Sequence, residues 1–454
     1  MDLGRFLRGC FLIVVVLTPL AAGTQEAPVT AEELEVRVRQ LESALAELRG
    51  AGPTEERLDQ LARQIEVLAA ELEDLRVGET VVAEASASIH GLGPGASKVY
   101  RTERGVSIGG YGEWLGSFYD GEDQSGDPSG KTDTLDDLRA VIYLGYKFSD
   151  RWLLNTEIEF EHASTSKSGE ASVEFAYLDY LWRESLGIRA GLILVPMGLI
   201  NEMHEPTTYL GANRPETERR IIPSTWRENG AGIFGSLGAL SYRTYVLNGL
   251  DAAGFSASGL RGGRQKGSKA KAEDLAWVGR LDWDPAPGLT LGLSAWLGQS
   301  GQDMRTDAGQ AIGVKTQIWE AHLDWRWRGL EVRGLWAQAD LDDVAELNTE
   351  LGLVGADSIG ERLEGGYVQV GWDLLAGRQG QQALIPFIRW ENVDTQVRVP
   401  DGWMINPANQ VKVLTVGMSY KPLEQIVVKM DWQQVDNRAS TGVDRFSLGL
   451  GYVF

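Results

Sequence analysis

The chain has 454 residues and a formal net charge of −21. That argues against a general nucleic-acid binder, because phosphate contacts need a basic surface. Its 55 glycines and 15 tryptophans, with little continuous hydrophobicity, suit a β-rich chain in which apolar and polar residues alternate.

The first 23 residues read as a signal peptide. Arg5 and Arg8 form a basic start, "CFLIVVVL" a short apolar run, and "TPLAAG" the small residues of a cleavage site. The apolar run is shorter than the ~20 residues a helical span needs. The single cysteine, Cys10, lies inside this segment and before the apolar run. The mature chain is therefore expected to have no disulfide and no thiolate chemistry.

Residues 24–84 read as a coiled-coil segment in the periplasm. Thr30 and Glu33 form a capping box. Leu34, Val38, Leu41, Leu45 and Leu48 then recur at the four-three spacing of a coiled-coil seam. "GAGP" interrupts, and a second seam runs from Leu58 to Leu75. Helices this short need a partner, supplied either by self-association or by a hairpin across "GAGP". Residues 85–104, with "ASASIHGLGPGAS", read as a flexible linker.

From 105 to 454 the period becomes two. Leu138, Ala140, Ile142, Leu144, Tyr146 and Phe148 point one way, and Asp137, Arg139, Tyr143 and Lys147 the other. The pattern recurs sixteen times, from a strand at 106–119 to one at 444–454, by way of strands such as 171–182, 273–284 and 383–394. Short turns such as "SDR", "PAPG", "RG" and "PLE" alternate with long loops. A soluble sandwich gives no reason for that alternation, whereas an outer-membrane barrel does. Trp152, Trp182, Trp325 and Trp327 lie near strand ends, where aromatic girdles belong. The expected fold class is all-β, a sixteen-stranded antiparallel transmembrane β-barrel behind an α-helical coiled-coil segment. The last strand, "DRFSLGLGYVF", would close the cylinder, with Phe446, Leu448, Leu450, Tyr452 and Phe454 toward lipid.

The helical N-terminal segment, "WLLNTEIEFEHA", "ERRIIPSTWRENGAGIFG", "LIPFIRWENVDTQ" and "VKVLTVGMSYKPLEQIVVKMDWQ" resemble the phosphate-selective porin O and P family over roughly residues 30–454. The resemblance implies a trimeric sixteen-stranded porin whose anion selectivity comes from arginines and lysines lining the channel. The acidic third strand departs from that pattern.

Three groups of residues are the expected channel chemistry. The longest loop, 197–228, would fold inward and narrow a lumen too wide for side chains to fill. It carries Arg214, Arg219, Arg220 and Arg227 with Glu216 and Glu218. Arg219 and Arg220 are the expected anion-facing pair, because two glutamates cannot neutralise four arginines. On strand 3, Asn155, Glu157, Glu159 and Glu161 alternate with apolar residues and should face the lumen. Arg139, Arg189, Arg280 and Arg389 are inward for the same reason, as are Lys147, Arg326, Arg333, Lys429 and Asp431. Arg261, Arg264, Lys266, Lys269 and Lys271 form a basic patch placed at the channel mouth.

No cofactor or metal is implied. The four histidines include no HExxH pair, and no nucleophile motif appears, so the expectation is a non-enzymatic channel for passive diffusion of small ionic or polar solutes, with weak anion preference. The expected partners are outer-membrane lipid, lipopolysaccharide and two further copies of the chain, and no nucleic acid. The alternatives are a cell-wall tether with a non-conducting barrel and a barrel-embedded hydrolase.

Overall fold

A computed structural model of the chain describes residues 88–166, 169–378 and 380–454. The signal peptide, the helical seams of 24–84 and the first residues of the linker lie outside the described residues. From Gly105 the chain forms sixteen antiparallel strands, each bonded to its neighbours in sequence and the last to the first, so the sheet is a closed barrel. They are β1 (Gly105–Tyr119), β2 (Thr134–Lys147), β3 (Trp152–Glu161), β4 (Ala171–Arg183), β5 (Leu186–Leu194), β6 (Arg227–Leu237), β7 (Leu240–Asn248) and β8 (Leu275–Ala286). Then follow β9 (Leu289–Gln299), β10 (Lys315–Trp327), β11 (Leu330–Leu341), β12 (Arg362–Trp372), β13 (Ala383–Arg398), β14 (Gln410–Leu423), β15 (Ile426–Asn437) and β16 (Arg445–Val453). The alternation located all of them. The largest difference is at β13, which runs to Arg398 rather than ending at 394.

Closure uses the last strand. β1 and β16 pair from Tyr111↔Val453 to Tyr119↔Arg445. Gly110 and Phe454 exchange both backbone hydrogen bonds, at 3.1 and 2.9 Å. No strand is left with an unpaired edge, which is the condition for placing a sheet in hydrocarbon.

The two faces of the wall follow the period of two. Ile142, Leu144 and Tyr146 are exposed on the outside of β2, whereas Arg139, Val141 and Tyr143 are buried inside. Outward tryptophans lie near the short turns (Trp152, Trp182, Trp283, Trp327, Trp372) and toward the long loops (Trp277, Trp319, Trp390). An apolar belt with aromatic girdles matches a bilayer and its two interfaces. Below, the two rims are called the short-turn end and the long-loop end.

The inner wall is covered rather than washed by water. Asn155, Glu157, Arg189, Trp296, Thr316, Arg389, Thr415 and Ser447 all point inward, and each is at most 1% exposed. Part of the cover comes from the β5–β6 connection, 195–226. Its Ile221, Ile222 and Trp226 are fully buried, and Trp226 packs on Trp296 of β9 with ring centroids 4.5 Å apart.

The described part of the expected flexible linker corrects that expectation. Residues 88–101 lie against the inner wall and end in a single helical turn, α1 (Lys98–Arg101). Leu92 and Val99 are buried. Asn155 of β3 donates to the Ala96 carbonyl at 2.9 Å. The glycines serve close approach here, not flexibility: a Cβ on Gly93 would sit 2.5 Å from the Glu205 carboxyl carbon.

Candidate functional site within the barrel

The β5–β6 connection is clamped where it leaves and re-enters the wall. Asn201 Nδ2 donates to the carbonyls of Val195 (2.7 Å) and Trp226 (2.9 Å), and its Oδ1 accepts from the Trp226 amide at 2.7 Å. One amide side chain therefore ties both ends of the loop together. Beyond it the loop crosses the lumen and meets the wall repeatedly. Glu202 pairs with Arg243 of β7 at 2.9 Å. His204 contacts Glu157 of β3 at 3.1 Å. Burial, and then the nearby Arg214 and Arg139, hold the His204 imidazole down at about 3. It is therefore neutral, and its Nδ1 donates to the Asn201 carbonyl at 2.8 Å. Tyr209 donates to Glu113 of β1 (2.8 Å) and lies under the Lys429 ammonium of β15 (3.5 Å). The Ala212 amide donates to Asp431 at 2.6 Å, Asn213 to Ser447 at 2.9 Å, and the Glu216 amide to Glu391 at 2.7 Å.

The loop's own charges divide into paired and unpaired sets. A single helical turn, α2 (Thr217–Arg220), follows Glu216. Glu216 takes both Arg219 (2.6 Å) and Arg220 (2.7 Å), at i+3 and i+4 spacing. Glu218 turns away from all the arginines and accepts from the amides of Leu199 and Ile200 and from Tyr367. Arg227 belongs to β6 and pairs with Glu174 of β4 at 2.5 Å. Among the described residues, Arg214 makes one weak hydrogen bond, to the Ser224 hydroxyl at 3.4 Å.

The wall residues named from sequence point inward and are bound up in contacts. Arg139 pairs with Glu113, and its Nε lies 3.9 Å from Glu159. Arg189 pairs with Asp179 at 2.9 Å. Arg280 and Arg243 share Asp282, and Arg389 pairs with Glu391 at 2.8 Å. Glu161 is half-buried at the upper end of β3. Each of these arginines thus has a carboxylate partner on the wall itself.

The basic patch of the β7–β8 connection is split. Arg261 donates to the Ser224 carbonyl at 2.7 Å, and Arg264 to the same carbonyl at 2.8 Å and to that of Thr225 at 3.1 Å. These two reach down onto the inward loop instead of standing at the mouth. Lys266 and Lys271 sit at the surface against Glu170 (3.1 Å) and Asp251 (2.8 Å), and Lys269 is exposed.

No family model matches the sequence. Over 387 residues the chain is 37% identical to an uncharacterised protein of Aquifex aeolicus (strain VF5), a match that covers 83% of this chain and 86% of that one. The chain belongs to that protein's family. Among solved structures it is similar to OmpF of Salmonella typhi, solved in complex with daunomycin, with a TM-score of 0.51 at 12% identity, over 78% of this chain and 98% of that one. The outer-membrane channel DcaP of Acinetobacter baumannii aligns with a TM-score of 0.46 at 12% identity, over 77% and 97% of the two chains. The likeness to OmpF is one of fold, that of outer-membrane porins. The Aquifex relationship fixes kinship without fixing a solute.

Some of the groups that organise this interior were not singled out by alternation. Asn201, Tyr209 and Asn213 carry no charge and lie in a loop, where a period-two reading is silent. Arg243 and Asp282 are inward on β7 and β8 and were open to the same argument as Arg280. The pairing of Glu216 with Arg219 and Arg220 was visible as i+3 and i+4 spacing, a signal that counting charges passes over.

Proposed function

We propose that the chain is an outer-membrane channel through which small hydrophilic solutes diffuse passively, with the short-turn end toward the periplasm. The observation that carries this reading is the 195–226 connection, which folds inside a closed barrel and carries charged groups into its lumen. A homotrimer in contact with lipid and lipopolysaccharide, with the 24–84 helices in the periplasm, belongs to the same proposal.

A weak preference for anions, phosphate among them, is the finer part of it. Arg214, Arg261 and Arg264 converge on Ser224, and Arg214 Nη2 is buried without a partner among the described residues. Burial first, then the neighbouring Arg264 and Arg214, push Arg261 below the usual arginine range. It still carries its charge at neutral pH, so three guanidinium charges meet at Ser224, with the Glu161, Glu174 and Glu228 carboxylates in their surroundings. Purified protein in a planar bilayer is expected to give stepwise ohmic conductance, with a reversal potential displaced toward the anion in a salt gradient. Well-inserted barrels that pass no current would overturn the channel reading.

The burial of the inner wall favours a second reading, a barrel that anchors and does not conduct. The same recording separates the two.

A further inference from the structure

At the short-turn end, the polar groups inside β3–β7 are turned toward a piece of the chain itself. The Tyr100 hydroxyl donates to Asp179 Oδ2 at 2.7 Å and accepts from Arg189 at 2.7 Å. The Gly95 and Ala96 amides donate to the Glu205 carboxylate of the inward loop at 3.2 and 3.0 Å. The His90 ring lies against Phe234 and Tyr100, with centroids 4.7 and 5.0 Å away. Each of these holding points is a side chain facing the lumen or the buried loop, and Lys98 Nζ adds a bond to the Ile108 carbonyl of β1 at 3.1 Å. The strand ladders of β1 begin only at Gly105 on the β2 side and at Tyr111 on the β16 side. Segment 88–101 is therefore seated inside the barrel without being part of its sheet. It joins β1 through 102–104, of which Glu103 and Arg104 are exposed. Its outer end also bounds a cavity of about 320 Å³ whose other walls include Glu202, Arg243 and Asp282.

We propose that residues 88–101 form a tethered plug. Seated, the plug closes the β1–β7 side of the lumen at the short-turn end. Withdrawn, it frees Asp179, Arg189 and Asn155 as channel wall and joins its vacated volume to the neighbouring cavity. The barrel stays closed in both states, because β1 pairs with β16 independently of the plug. This inference rests on the channel reading above.

Two variants of the full chain test it. Ala96 is 3% exposed, so Ala96→Trp has no room in the seated position and forces the segment out. Single-channel conductance of the folded variant is expected to rise by about twofold as the lumen widens, with heat-modifiable migration reporting that the barrel is intact. Separately, Ala96→Cys is probed with a water-soluble maleimide, in barrels whose only other cysteine is Cys10. Adding Glu205→Ala, which removes two charge-assisted hydrogen bonds from the seat, is expected to speed labelling by about tenfold. Labelling that is equally fast in both backgrounds would overturn the seating, and it decides the matter even if Ala96→Trp does not fold. Unchanged conductance of folded Ala96→Trp overturns the plug and leaves the channel standing. Silence of both wild type and Ala96→Trp overturns the channel reading and the plug with it.

Discussion

The Glu218 carboxylate receives the Tyr367 hydroxyl of β12 at 2.6 Å while holding the Leu199 and Ile200 amides at 2.8 and 2.7 Å. One fully buried side chain thus joins the two limbs of the inward loop to the far wall. Glu218→Ala leaves two amides unpaired in a dry site, at a cost of about 1–3 kcal/mol each. Tyr367→Phe removes one bond, worth about 1 kcal/mol. Thermal unfolding of the detergent-folded barrel should rank wild type above Tyr367→Phe and that above Glu218→Ala. Equal midpoints for all three would mean that the loop melts separately from the barrel.

Arg261 and Lys266 are five residues apart in sequence and differ in what they do. Arg261 rests on the Ser224 carbonyl of the inward loop, whereas Lys266 pairs with Glu170 at the surface. Fields at the surface are screened beyond ~8 Å at physiological salt. Arg261→Ala should therefore move the reversal potential toward cations, and Lys266→Ala should lower conductance only at low salt. A reversal potential unmoved by Arg261→Ala would place the Ser224 cluster off the solute path.

The barrel was legible because its code is local. An alternation such as Leu138 to Phe148 fixes which face meets lipid, and turn length fixes which strands are neighbours. The interior was legible only in part. Glu157 and Arg189 were placed inward correctly, but alternation cannot say whether an inward side chain meets water or another segment. Gly91, Gly93 and Gly95 carry the same composition whether a segment is a free linker or threads between Glu205, Tyr143 and Arg243. That choice is made by contacts more than a hundred residues apart, such as Ala96 with Glu205.

The outward face gives a test that is independent of any channel. Leu293 lies mid-strand on β9 and is 61% exposed, while Leu135 sits near the long-loop end of β2 and is 83% exposed. An arginine at the bilayer midplane costs about 2–4 kcal/mol, against about 0–1 near an interface. Leu293→Arg should lower the stability of the barrel in lipid vesicles by the larger amount, measured by reversible urea unfolding, and Leu135→Arg by the smaller. Equal costs would mean that the belt does not face hydrocarbon.

Glu216 sets how much of the loop's positive charge is free. Burial raises its carboxyl, but the Arg219 and Arg220 charges and hydrogen bonds outweigh burial and hold it at about 2, below its ordinary 4.5. The sign follows from that depression: the pairing is fully present above 4.5 and is lost as pH falls through about 2. From pH 8 to pH 5 this site should add nothing to the pH dependence of selectivity, with one guanidinium charge in excess. Acidification toward pH 2 frees a second and should displace the reversal potential toward anions. Glu216→Gln makes the same change at neutral pH without titrating any other carboxylate. It should shift selectivity toward anions at pH 7, and the shift should reverse when Arg219→Ala is added. If Glu216→Gln leaves the reversal potential where it was, α2 does not face the solute path and the selectivity of the channel is set elsewhere.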